Sequence, residues 1–124
     1  MPGRKILVID DEQDVQVALR AILERAGYRV SSARDGMQAQ MMARQVSPDL
    51  IILDINMPGG GGYTAFERLR MMNTTVGIPV LVYTVVPKED VDKRIPESPS
   101  TAFLSKPASP EVLVEAVRKL LTPD

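Results

Sequence analysis

Three short runs constrain this chain more than anything else in it: "KILVI" at 5–9, "LIIL" at 50–53 and "PVLVY" at 79–83. A strand with one wet face alternates polar and apolar residues. These do not, so each must be covered on both faces, which calls for a mostly parallel sheet sandwiched between helices. The intervening stretches supply those helices. Val15, Leu19, Ile22 and Ala26 share one helical face, with Gly27 as a natural stop. Ala39, Met42, Ala43 and Val46 make a second stripe closed by "SPD" (47–49), and Phe66, Leu69 and Met72 mark a third. Ser109 caps and Pro110 opens a last helix carrying Leu113, Ala116, Val117, Leu120 and Leu121. "YRVSSA" (28–33) and "AFLS" (102–105) read as weaker strands. The expectation is an α/β doubly wound domain spanning residues 1–124, with five strands flanked by helices. One stretch, 85–101, fits poorly. Pro87, Pro96 and Pro99 leave room for only two helical turns at Lys88–Ile95, so a short or irregular fourth helix is expected.

The strands end in polar residues. Asp10 and Asp11 close the first, with Glu12 after them; Asp54 closes "LIIL", Thr84 closes "PVLVY" and Lys106 closes "AFLS". In an open α/β sheet the functional crevice lies beyond the carboxyl ends of the strands, so these groups converge on one edge. Singly, each has an ordinary explanation: acids in a first helical turn favour its dipole, and a lone lysine is commonly solvated. Together they create a charge problem. At an effective dielectric of ~20, two carboxylates ~4 Å apart repel by about 4 kcal/mol.

Composition decides what can relieve that repulsion. The chain has no histidine and no cysteine, which excludes imidazole catalysis, thiolate nucleophiles and His- or Cys-based metal sites. An oxygen-only site suits a hard divalent cation such as Mg²⁺. A carboxylate beside a bound cation and a lysine can also attack phosphorus and form an aspartyl phosphate.

Four pieces, "LVIDDE" (7–12), "LDINMPGGGG" (53–62), "VLVYT" (80–84) and "FLSKP" (103–107), resemble in order and spacing the receiver domain of two-component response regulators, including the stand-alone chemotaxis-type members. The resemblance covers essentially the whole chain. It implies a flavodoxin-like parallel sheet in the order 2-1-3-4-5. It implies that Asp54 accepts a phosphoryl group, and that Asp11 ligates Mg²⁺ with Asp54, the Asn56 backbone carbonyl and Asp10, the last through water. Lys106 would pair with the phosphoryl group, Thr84 would hydrogen-bond one of its oxygens, and Phe103 would turn inward with Thr84. Met57, Pro58 and Gly62 match the family's loop, and the Lys106–Pro107 bond would be cis. The donor would be a phosphohistidine on a sensor histidine kinase or phosphotransfer protein. The chain would then be a phosphoacceptor signalling domain that assists its own phosphorylation and dephosphorylation and switches a protein-interaction surface, not an enzyme with a separate substrate. Three features depart from the family pattern: Val85 where a small residue is usual, four consecutive glycines at 59–62, and the proline-broken fourth helix.

Other classes fit less well. The net charge is −1 with basic residues scattered, so no nucleic-acid stripe is expected. No apolar run nears the ~18 residues that would span a bilayer, and the start does not read as a signal peptide, so a cytoplasmic protein is expected. A monomer or weak dimer is expected. No output module follows the last helix in this sequence, so either a single-domain regulator or a receiver excised from a longer chain is expected. "GGGYTA" (60–65) satisfies G-x-G-x-x-A, but it follows the third strand of the chain rather than the first, and Thr84, not an acid, closes the next. A haloacid-dehalogenase-like phosphatase would want acids at both 54 and 56, where position 56 is Asn. A folded but unphosphorylated receiver would have no need of Asp10, Asp11, Asp54, Thr84 and Lys106 together. The tyrosines and remaining methionines read as core or surface residues.

Overall fold

In the computed structural model, residues 3–122 are described. Five strands and five helices alternate: β1 (Lys5–Ile9), α1 (Gln13–Arg25), β2 (Arg29–Ala33), α2 (Gly36–Val46), β3 (Leu50–Leu53), α3 (Gly61–Met71), β4 (Val80–Thr84), α4 (Lys88–Asp92), β5 (Thr101–Ser105) and α5 (Pro110–Leu121). A single 3₁₀ turn, Pro58–Gly60, precedes α3. All strand pairs are parallel and the order is β2-β1-β3-β4-β5, as the resemblance implied.

The apolar runs are buried on both faces because strand side chains alternate between two separate cores. Leu7, Ile9, Ile51, Leu53, Val80 and Val82 pack with Ala39 and Ala43 of α2, Ala65 and Leu69 of α3 and Val91 of α4. Ile6, Val8, Leu50, Ile52, Leu81 and Tyr83 pack with Leu19 and Leu23 of α1 and Leu113, Val117 and Leu120 of α5.

Local chemistry sets the helix limits. Ser109 Oγ accepts from Val112 N at 3.2 Å, and Pro110 sits at the first helical position, where its missing N–H is no loss. Asp35 caps α2 by accepting from Gln38 N at 2.8 Å, while Gln38 Oε1 accepts from Arg34 N at 2.7 Å. The α1 helix ends in a Schellman turn: Gly27 adopts φ 98°, Gly27 N donates to Glu24 O at 3.0 Å and Tyr28 N to Leu23 O at 3.0 Å. That turn leaves Ala26 exposed, whereas the stripe in the sequence places it on the buried face. The buried residues of α1 are Gln16, Leu19 and Leu23, a face rotated slightly from the expected one.

The fourth helix is short, a single stretch of five residues. Val91 and Ile95 anchor the segment in the core, and Ile95 N reaches Val91 O at 2.7 Å. Arg70 ties this side of the fold together, donating to Val76 O, Ile78 O, Ser100 O and Thr101 Oγ1 at 2.7–3.2 Å. Burial lowers its guanidinium pKa.

Candidate functional site

Register builds the site. Ile9 pairs with Ala33 on one side and Leu53 on the other, so the next residues, Asp10 and Asp54, emerge side by side at the centre of the sheet. Two ladder-like bonds continue past the strands and hold them there: Asp10 N to Ala33 O at 3.1 Å and Asp54 N to Ile9 O at 3.0 Å. Thr84 pairs with Ser105, and Lys106 N donates to Thr84 O at 2.9 Å, delivering Lys106 to the same edge. The Lys106–Pro107 bond is cis.

Asp10 and Asp54 are 1% and 3% exposed, and the Lys106 side chain is 9% exposed. Lys106 Nζ donates to Asp10 Oδ2 at 2.7 Å and to Asp54 Oδ2 at 3.0 Å, with Glu12 Oε1 at 4.0 Å. The two aspartates divide their oxygens in the same way. Asp10 Oδ1 accepts from Glu12 N and Asp54 Oδ1 from Asn56 N, both at 2.9 Å. One oxygen of each is thus held by its own loop, and the other faces the shared amine.

Burial raises the Asp10 pKa, opposed by the Lys106 hydrogen bond, the Glu12 N–H and the Lys106 charge; the Asp54 charge raises it further. Burial alone would push the Lys106 amine down. Its hydrogen bonds to Asp10 and Asp54 and their charges outweigh that, and it stands above its ordinary value. One buried ammonium between two buried aspartates leaves a charge uncompensated when both are ionised, and Glu12 adds a second.

Carboxylate oxygens of Asp10, Glu12 and Asp54 all come within 4.8 Å of one another. This donor set, all hard oxygen with excess negative charge, fits a divalent cation. Asp11 is half-buried beside it and does not join that group. Asn56 is exposed at the rim. Thr84 is fully buried at the end of β4, and its hydroxyl accepts from Val86 N at 3.3 Å. Phe103 is half-buried against the core under α2, α3 and α4. Val85 is 59% exposed beside the crevice.

The glycine run is less of a loop than it reads. Gly59 alone takes a positive φ (66°), and Gly61 and Gly62 already belong to α3. A Cβ on Gly62 would lie 2.4 Å from Ile55 Cα and 2.6 Å from Asp54 O, so this glycine lets α3 close onto the backbone that carries Asp54. It serves helix–strand contact, which accounts for the nucleotide-like pattern.

Two polar residues near the site were not singled out in the sequence. Gln16 Nε2 lies 2.9–3.2 Å from Ala33 O, Asp10 O and Val8 O, bracing the end of β1 from inside α1. Its only sequence signal is a polar residue next to an apolar stripe. Tyr83 accepts from Ala108 N at 3.1 Å through its hydroxyl, a contact across 25 residues that no periodicity reveals.

A doubly wound sheet with buried acids, a lysine and a threonine meeting at its carboxyl edge defines a switch-point site. The chain belongs to the response regulator receiver domain family, whose model matches residues 6–118. It is 38% identical over 117 residues to the DNA-binding dual master transcriptional regulator RpaA of Synechocystis, covering 94% of this chain and 48% of that protein. It is 32% identical over 117 residues to Protein PilH of Pseudomonas aeruginosa, covering 94% of this chain and 97% of that one. The chain spans about half the length of the first curated relatives it matches. Among solved structures it superposes on Vibrio cholerae chemotaxis protein CheY4 with TM-score 0.88 at 29% identity, covering 96% of this chain and 99% of that one. It also resembles the receiver domain of sensor histidine kinase PA1611 from Pseudomonas aeruginosa (TM-score 0.85, 25% identity, 96% and 98% covered), a structure with a magnesium ion in its active-site cleft. Among the described residues no helix is long and apolar enough to cross a membrane.

Proposed function

We propose that this receiver takes a phosphoryl group onto Asp54 from a phosphohistidine of a sensor kinase or phosphotransfer protein, in a Mg²⁺-dependent reaction. The observation that carries the reading is the shared lysine, with Nζ 2.7 Å from Asp10 and 3.0 Å from Asp54. It sets fixed positive charge beside the acceptor carboxylate. Transfer forms a bond from an Asp54 oxygen to phosphorus and breaks the donor's P–N bond, whose electron pair stays on the imidazole nitrogen. Lys106 then meets the phosphoryl oxygens as a charge-assisted donor. The Thr84 hydroxyl donates a hydrogen bond to another phosphoryl oxygen, and Phe103 moves inward with it, altering the surface that a protein target reads. Attack by water on phosphorus then breaks the bond to the Asp54 oxygen, releasing inorganic phosphate and restoring the carboxylate, with the same residues around phosphorus in both steps.

Mg²⁺ suits the donors present. We assign it to Asp10, Asp11, Asp54 and the Asn56 backbone carbonyl, with Glu12 as the competing carboxylate because it lies within reach of both buried aspartates. Bound there, it supplies positive charge against the transferred group. A phosphohistidine donor implies the cytoplasm as the working compartment.

Intact mass after treatment with acetyl phosphate and Mg²⁺ tests the reading. One phosphoryl mass should appear and should vanish in Asp54→Asn or with excess chelator. An unmodified wild type, or full modification of Asp54→Asn, overturns the assignment. Mg²⁺ titration of Asp11→Asn and Glu12→Gln shows which acid completes the site: the assignment requires the larger loss of affinity in Asp11→Asn.

A further inference from the structure

We propose that Tyr83 is a positioning residue for Lys106, acting on the phosphoryl chemistry through the lysine and not by touching the transferred group. The inference rests on the reading above only for its effect on phosphorylation.

Lys106 must hold its amine between two carboxylates from a turn between β5 and α5, and that turn is gripped by consecutive residues of β4. Lys106 N donates to Thr84 O at 2.9 Å, and Ala108 N donates to Tyr83 Oη at 3.1 Å. Pro107, between them, has no N–H to give. Every backbone donor of residues 106–108 is therefore satisfied by β4. The first grip continues the β4–β5 ladder in the plane of the sheet, and the second comes from a side chain on the face covered by α1 and α5.

Tyr83 also lies under the amine itself, with Lys106 Nζ 5.7 Å from its ring centroid. Beneath the turn is a cleft of about 320 Å³ lined by Val15, Leu19, Ile22, Tyr83, Pro107 and Ala108, among others. With that space under the turn, the phenol hydroxyl is its polar tether to the sheet. Tyr83 is otherwise a core residue, and a leucine or methionine would fill the same apolar face. The hydroxyl has no packing role that phenylalanine would lack.

Two measurements test this, the first in wild type and Tyr83→Phe and the second also in Lys106→Met and the double variant, with Leu113→Ala as a control that loosens the same core without removing the Tyr83 hydroxyl. The first is the rate of lysine acylation by a small anhydride, read by peptide mass spectrometry without phosphoryl chemistry. In Tyr83→Phe, labelling of Lys106 should rise about fivefold, the weight of one neutral hydrogen bond, while Lys88 and Lys119 stay unchanged. Leu113→Ala should leave Lys106 labelling at the wild-type rate. The second is phosphorylation by acetyl phosphate with Mg²⁺. Tyr83→Phe should slow it by a similar factor, and should slow it no further in the Lys106→Met background. Unchanged Lys106 labelling in Tyr83→Phe, an equal rise in Leu113→Ala, or an undiminished effect without Lys106 overturns the proposal. If wild type accepts no phosphoryl group, the functional reading fails and the labelling arm alone decides the role of Tyr83.

Discussion

Two neighbouring glycines should respond to the same substitution with opposite signs. Gly61 has helical torsions (φ −59°, ψ −29°), and a Cβ there would meet nothing closer than Met57 side-chain atoms at 3.9 Å. Gly61→Ala should therefore stabilise by about 0.5–1 kcal/mol, chiefly by narrowing the unfolded ensemble. At Gly62 the added methyl would sit 2.4 Å from Ile55 Cα, 2.5 Å from Ile55 O and 2.6 Å from Asp54 O. Carbon atoms need about 3.5 Å, so the deficit is roughly 1 Å. All three obstacles are backbone, so no rotamer change relieves it. Overpacking of this kind costs about 1–3 kcal/mol, and rigid backbone places Gly62→Ala at the upper end, about 3 kcal/mol. The two variants should then differ by about 4 kcal/mol, or roughly 12–20 °C in Tm for a domain of this size. Urea unfolding followed by far-UV circular dichroism measures both, and an unchanged m-value would confirm a common two-state reference. A gap below about 1 kcal/mol between the variants would show that the Asp54–Ile55 backbone yields cheaply, and the close-contact argument would be refuted. Because the strain falls on the segment bearing Asp54, Gly62→Ala should also slow phosphoryl loading at temperatures where it remains folded.

The remaining expectations concern charge, access and local order. Asp10 has a raised pKa, so the folded state holds its proton more tightly than the unfolded chain does, and stability falls as pH climbs from the ordinary value of 3.8 through the raised one. Asp10→Asn should remove that slope and leave the metal-free protein more stable at pH 7 while weakening Mg²⁺ binding; a less stable variant contradicts the sign. Lys106 contributes stability below its ordinary value of 10.5 that is lost as pH rises through its higher folded value, so Lys106→Met should flatten the alkaline limb of a stability–pH curve. Val85→Ala should hydrolyse its aspartyl phosphate about three- to tenfold faster by opening the approach of water, and a change below about twofold would end the steric argument. Arg70→Met removes a donor from three carbonyls and a hydroxyl, and should cost about 2–3 kcal/mol in urea unfolding. Amide exchange should be faster across residues 85–101 than across α5; equal protection would mean that burial of Val91 and Ile95 outweighs the prolines.

The sheet was legible because its central strands are apolar on both faces, a pattern few other architectures accept. The convergence of Asp10, Asp54, Thr84 and Lys106 was legible for a related reason: parallel strands in register deliver the residues after them to a common edge. What the sequence hid depends on long-range partners. Gln16 reads as a polar interruption of α1, yet it is buried because the carbonyls it satisfies belong to β1, to Asp10 just past it, and to β2. Ala26 reads as part of the apolar face, yet the turn at Gly27 ends the helix before it can be buried. The glycine run reads as a flexible loop, yet half of it is helix because α3 must approach β3 closely. Glu12 brings a carboxylate oxygen within 4.8 Å of the buried aspartates because of the path the chain takes from β1 into α1, and sequence spacing does not encode that rotation.

The divided oxygens of Asp10 and Asp54 make the loops part of the ionisable site. Each carboxylate is fastened to the amide two residues on, so a rearrangement of residues 10–12 or 54–56 changes the energy of the charge it holds. Thermodynamic reciprocity then works in both directions. If occupation of Asp54 alters the arrangement of its loop, anything that grips that loop from outside alters the affinity of Asp54 by the same factor. A partner docked over the exposed Asn56 would thus set the tendency of Asp54 to stay modified without contacting the carboxylate at all.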